Sequence, residues 1–176
     1  MKKFWAVVIV VSVLLIAAPV SAQSAEGRPA GFGAGLGFGS FVTGVSLKKH
    51  DGDRALQGVI GCGWRWGYGR RGHRTRGSQC RGMGVSGDLL LSMPVITDEG
   101  SVILAWNVGG GASVGVWDHY YEGDRLWLGG QFVAGLEFIF PGVPLDLVLE
   151  WRPSLLVIPT GDFWFGQAGF HVRYYF

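Results

Sequence analysis

The chain has 176 residues, 15 of them basic and 13 acidic, with 31 glycines and 48% hydrophobic residues. Two of the basic residues, Lys2 and Lys3, lie in the apolar leader described next, so the remainder is balanced and no nucleic-acid-binding surface follows from net charge. Two cysteines, Cys62 and Cys80, do not make a disulfide scaffold, although export would permit one bridge.

Residues 1–22 read as a secretory signal peptide: "MKK", an apolar run from Phe4 to Ala18, then "PVSA" ending at Ala22. Residues 23–30 are expected to be a short periplasmic segment, and residues 31–176 one domain. At 31–39, "GFGAGLGFG" alternates without exception, an apolar row of Phe32, Ala34, Leu36 and Phe38 against glycines. That period belongs to a strand, and a helix with so many glycines would be unstable. "TGVSLKK" at 43–49 predicts a weaker strand.

Further strands follow at 55–68, 83–93, 101–116, 126–140, 144–152 and 163–176. In each, an apolar face opposes a polar or glycine face. Trp64, Trp66 and Tyr68 oppose Arg65; Leu89 and Leu91 oppose Asp88; Leu136 and Phe138 oppose Glu137; Leu147, Leu149 and Trp151 oppose Asp146, Glu150 and Arg152. In the last strand, Phe170, Val172, Tyr174 and Phe176 oppose His171, Arg173 and Tyr175. Turn residues separate the strands at "HDGDR", "TDEG", "FPGVP" and "PTGD".

Eight such strands, most near the 9–11 residues a tilted membrane strand needs, predict an all-β, eight-stranded antiparallel up-and-down transmembrane β-barrel. Glycines cover a soluble surface poorly but leave room in a narrow lumen, so the polar faces are predicted to point inward. The predicted lumen network is Arg65, Asp88, Glu137, Asp146, Glu150, Arg152, His171 and Arg173, with Gly33, Gly35 and Gly37 beside His171, Arg173 and Tyr175 once the barrel closes. The numerous outward rings suit the interfacial girdles of a barrel in the cell outer membrane. Both termini would then be periplasmic, with turns near 50–54, 94–99 and 140–144, and loops at 40–43, 69–81, 117–125 and 159–163 outside.

The stretches "FPGVPLDLVLEWRPSLLVIP" and "GFHVRYYF" resemble a family of small bacterial outer-membrane barrels of unassigned function, similar in architecture to the OmpA transmembrane domain and OmpX. The residues concerned are Pro141 to Pro144, Leu149, Glu150 and Pro153, and Arg173 to Phe176, with "GFGAGLGFG" resembling the first strand. The resemblance implies fold, outer-membrane location and recognition of the strand bearing Phe170, Val172, Tyr174 and Phe176 by the outer-membrane barrel assembly machinery. It implies no activity.

The loop "GRRGHRTRGSQCR" presents Arg70, Arg71, Arg74, Arg76 and Arg81 beside His73. Guanidinium groups bind phosphates bidentately, so outer-membrane lipid, lipopolysaccharide or an extracellular acidic ligand are the partners it suits; a nucleic acid fits poorly with export. Ser154, His171 and Glu150 have the residue types of a hydrolase triad, but no nucleophile elbow is present and His171 falls on the lumen face. No catalytic residue, metal site or cofactor is expected. The predicted role is structural or surface interaction, with a lumen plugged by charged side chains. The alternatives are a narrow diffusion pore and a soluble lipid- or ligand-binding barrel.

Overall fold

The computed structural model describes residues 28–29, 31–39, 41–63, 82–117, 125–159 and 161–176, and these contain strands and no helix. The strands are β1 (Gly31–Phe38), β2 (Val42–Asp51), β3 (Arg54–Gly63), β4 (Gly82–Ser92), β5 (Thr97–Asp98), β6 (Ile103–Trp117), β7 (Arg125–Phe140), β8 (Leu145–Trp151), β9 (Ser154–Ile158), β10 (Asp162–Trp164) and β11 (Ala168–Tyr175). β8 and β9 run as one stave along β7, and β10 and β11 form the next. β11 pairs with β1, which closes the sheet as an eight-stranded antiparallel up-and-down barrel. The short β5 pairs only with β6 and extends the expected turn at 94–99 into a small hairpin. β2 reaches ten residues and is as regular as its neighbours.

We call the end carrying Gly31 and Tyr175 the near end and the opposite one the far end. The near-end turn between β2 and β3 needs only Gly52 and Asp53, with Gly52 at φ 62°, where a Cβ would be strained.

The stagger of the barrel follows from its pairings. From Leu104 on β6, paired positions run through Phe138, Leu147, Val172, Leu36, Val45, Ile60 and Val85. They return to β6 at Val114, ten residues beyond the start. With a rise of about 3.4 Å and a spacing of about 4.8 Å, eight strands so staggered tilt by about 40°, within the range of closed barrels. Every member of this circuit is aliphatic or aromatic, and all point outward.

The polar and charged side chains of the strands lie on the inward face, beside buried apolar ones such as Leu90, Val133 and Val148. Ser46, Lys48, Gln57, Asp88, Asn107, Glu137, Asp146, Glu150, Arg152, His171 and Arg173 are all buried. Leu36, Val45, Ile60, Met83, Leu136, Leu149 and Phe176 are exposed. This inside-out polarity matches the predicted facing of each strand that is described. Arg65, and the rings of Trp64, Trp66 and Tyr68, lie outside the described residues, as do Arg70, Arg71, Arg74, Arg76, Arg81 and Cys80. Cys62 is disulfide-bonded.

Candidate functional site

The lumen is the one place where the described chain concentrates chemistry, and it is built in layers. Nearest the near end, the Glu137 carboxylate accepts hydrogen bonds from Lys48 Nζ, from Asn107 Nδ2 at 2.7 Å and from Arg28 Nε at 3.2 Å. Asp146 lies beside it, accepting from Tyr175 Oη at 2.9 Å and facing Arg173 Nη1 at 3.4 Å. β2, β6 and β7 place Lys48, Asn107 and Glu137 by simple alternation. Arg28 reaches them from the segment ahead of β1.

The middle layer centres on Glu150. Its Oε1 accepts from Gln57 Nε2 at 2.8 Å, and its Oε2 accepts from Arg152 Nη1 at 2.6 Å and lies 3.0 Å from His171 Nε2. His171 Nδ1 lies 3.0 Å from Ser46 Oγ, which accepts from Arg173 Nε at 3.0 Å. One proton assignment satisfies all of these groups: His171 neutral with its proton on Nε2, donating to Glu150, while the Ser46 hydroxyl donates to Nδ1. Arg173 Nη2 donates to Gln57 Oε1 at 2.6 Å, so this layer is joined to the one below.

Arg152 also reaches upward. Its Nη2 donates to Asp88 Oδ2 at 2.5 Å, Gln131 Nε2 donates to Asp88 Oδ1 at 2.5 Å, and Ser113 Oγ donates to Gln131 Oε1 at 2.9 Å. Of the predicted network, all seven described members meet here: Asp88, Glu137, Asp146, Glu150, Arg152, His171 and Arg173. Arg28 and Lys48, not predicted from the sequence, join it. With them, the charges of the described lumen balance: Arg28, Lys48, Arg152 and Arg173 against Asp88, Glu137, Asp146 and Glu150. Isolated charges would be very costly here; paired and hydrogen-bonded ones are sustainable.

Glycines make the room. A Cβ at Gly33 would sit 2.7 Å from the Tyr175 ring, and one at Gly37 would sit 2.7 Å from His171 Nδ1. The register pairs Gly33 with Tyr175, Gly35 with Arg173 and Gly37 with His171, the juxtaposition predicted for closure.

Towards the far end the lining changes. Phe41, Val42, Val59, Trp127 and Leu156 form a buried apolar cluster, with Trp164 packed against it. Phe41 stacks on Trp127 at 5.4 Å between ring centroids and lies 5.7 Å from Trp164. This modifies the expectation of a lumen lined by polar and small residues alone. The short β1–β2 loop turns Phe41 inward, and the inward register of β7 carries Trp127 over Gly84 and Gly115. Between the apolar cluster and Arg152 the free space is about 10 Å³. That is at the lower limit for one water and far below a ligand cavity.

The triad residues do not assemble. Ser154 Oγ donates to the Arg152 carbonyl at 2.8 Å and lies 2.7 Å from Gln167 Oε1, while His171 turns to Ser46. Ser46, His171 and Glu150 do form a serine–imidazole–carboxylate series, but Ser46 and His171 have 0% exposure. A substrate carbonyl has no approach to that hydroxyl. Among the described residues no group of three or more histidine, cysteine or acidic side chains could hold a metal ion.

No family model, curated protein or solved structure matches this chain.

Proposed function

We propose that this protein is an integral barrel of the cell outer membrane, reached through the periplasm after signal-peptide removal, with a structural or surface-interaction role. The observation that carries the reading is the inverted polarity of the wall. Arg173, His171 and Lys48 are almost wholly buried inside, whereas an unbroken circuit of apolar side chains points outward, with Leu36, Val45, Ile60 and Val85 among the exposed ones. In water such a surface would drive aggregation; in a bilayer it is the expected lipid contact. Outward rings support the same reading: Tyr174 and Phe176 pack at 5.2 Å near the chain end, and Trp151 and Phe165 at 4.9 Å toward the far end.

The near end then faces the periplasm and the far end the exterior. The charge-balanced, filled lumen favours a plugged barrel over the diffusion pore, because steady conduction needs a continuous water path. The inverted polarity disfavours a soluble lipid or ligand carrier, which would put its apolar face and a cavity inside. Membrane fractionation tests the reading: the protein is expected in the outer-membrane fraction, with heat-modifiable migration. Recovery in the soluble periplasm would overturn it. Purified protein in a planar bilayer is expected to give no steady channel.

The surface role is proposed for the arginine-rich stretch 69–81, which links β3 to β4 at the end proposed to face outward. Its proposed partners are phosphate-bearing groups of lipopolysaccharide and outer-membrane lipid, or an acidic extracellular polymer. Replacing Arg70, Arg71, Arg74, Arg76 and Arg81 together is expected to weaken lipopolysaccharide binding; unchanged binding would remove this role. Delivery by the barrel assembly machinery through the strand bearing Phe170, Val172, Tyr174 and Phe176 belongs to the same proposal.

A further inference from the structure

Arg28 precedes the first strand, yet its side chain is as buried as the wall residues it meets, at 3% exposure. Lys48 alone already neutralises Glu137, so Arg28 is not required to pair that carboxylate. Its fork makes a second set of contacts that no lysine could match. Nη2 donates to the Met93 carbonyl at 2.8 Å and to the Trp106 carbonyl at 3.0 Å, while Nε holds Glu137. These carbonyls belong to facing stretches at the β4–β6 turn, where Met93 N also donates to the Trp106 carbonyl. One carboxylate and two converging carbonyls form an acceptor set suited to a forked guanidinium rather than to a point-charge ammonium.

The near-end layer is also the less completely satisfied part of the lumen. Arg28 Nη1, His50 Nδ1, Asn107 Oδ1 and Asp146 Oδ1 are buried without a hydrogen-bond partner. The Arg152–Asp88–Gln131 layer beyond contributes no such atom. Arg28 thus sits at the near end among the least completely satisfied groups of the described lumen. Without Arg28, the described lumen would hold three cations against four carboxylates.

We propose that Glu137, with the carbonyls of Met93 and Trp106, is a guanidinium-binding seat, and that the segment before β1 fills it with Arg28 as a tethered plug of the near end. The proposal concerns the barrel itself and does not depend on its cellular location.

Chemical rescue tests it. In the full chain folded in detergent, Arg28→Ala is expected to lower the melting midpoint by about 5 °C and to raise hydrogen exchange at the amides of Met93 and residues 103–107. Free guanidinium at about 10 mM, well below denaturing concentrations, should restore both toward the wild-type values. Sodium chloride and methylammonium at the same concentration should not. Arg28→Lys should recover only part of the loss, because an ammonium cannot span Glu137 and both carbonyls. If Arg28→Ala refolds poorly, refolding yield with and without guanidinium is the readout. No destabilisation, or rescue equal for guanidinium and methylammonium, would overturn the proposal. So would failure of guanidinium to rescue a variant that Arg28→Lys repairs.

Discussion

The two halves of the lumen solve the same packing problem with opposite chemistry. From Glu137 to Asp88 the interior holds ion pairs whose long side chains cross the barrel, set among small buried apolar clusters of Ala55, Leu90 and Val133 and of Ile103, Ala105 and Ile139. Beyond Arg152 it is filled by Phe41, Trp127 and Leu156, which need no partner of matching charge. The difference teaches what each filling demands. In the ionic half a deleted charge upsets the pairing of buried partners and is costly. The apolar half responds in proportion to the volume changed.

That contrast can be broken in measured steps. Arg152→Ala strands both Asp88 and Glu150 and is expected to cost about 4 kcal/mol of unfolding free energy, read by denaturant titration of tryptophan fluorescence. A cost below about 1 kcal/mol would mean that water reaches this layer. Gly84→Ala places a Cβ 2.7 Å from Trp127 Cζ2 and 3.0 Å from Val42 Cγ2, so overpacking should cost about 2 kcal/mol. Phe41→Leu loses part of a stack but keeps an apolar filler, for about 1 kcal/mol. Gly87→Ala is the control on the outer wall. A Cβ there meets nothing within 4 Å, so relief of the glycine penalty should stabilise by about 0.5 kcal/mol, visible as a small rise in melting midpoint. Equal effects at Gly84 and Gly87 would contradict the facing of β4.

Most of the wall was legible because alternation with period two is a local property, and it fixes which side chains share a face without knowledge of the partner strand. Asp88, Glu137 and Arg173 needed nothing more. Lys48 was less apparent because it adjoins Lys49, so one lysine points in and the other out. The alternation of Val45 and Leu47 with Ser46 carries the parity that decides between them. Trp127 likewise shares parity with Gln131, although a tryptophan in a barrel suggests lipid before lumen. Arg28 had no such signal: it precedes the periodic segment, and only the tertiary fold brings it to Glu137. The hydrogen-bond order among Ser46, His171 and Glu150 was illegible for the same reason, as it depends on the stagger of β2 against β11 through β1.

The first strand offers a glycine at every inward position, from Gly31 through Gly37. Sliding the last strand by two residues would therefore find another bare seat for each inward ring, and the steric fit alone would accept several closures. What distinguishes them is whether Tyr175 meets Asp146 and whether Arg173 meets Ser46 and Gln57 together. The interior charges thus act as the tumblers of a lock, choosing one alignment of the seam from those the glycines would allow.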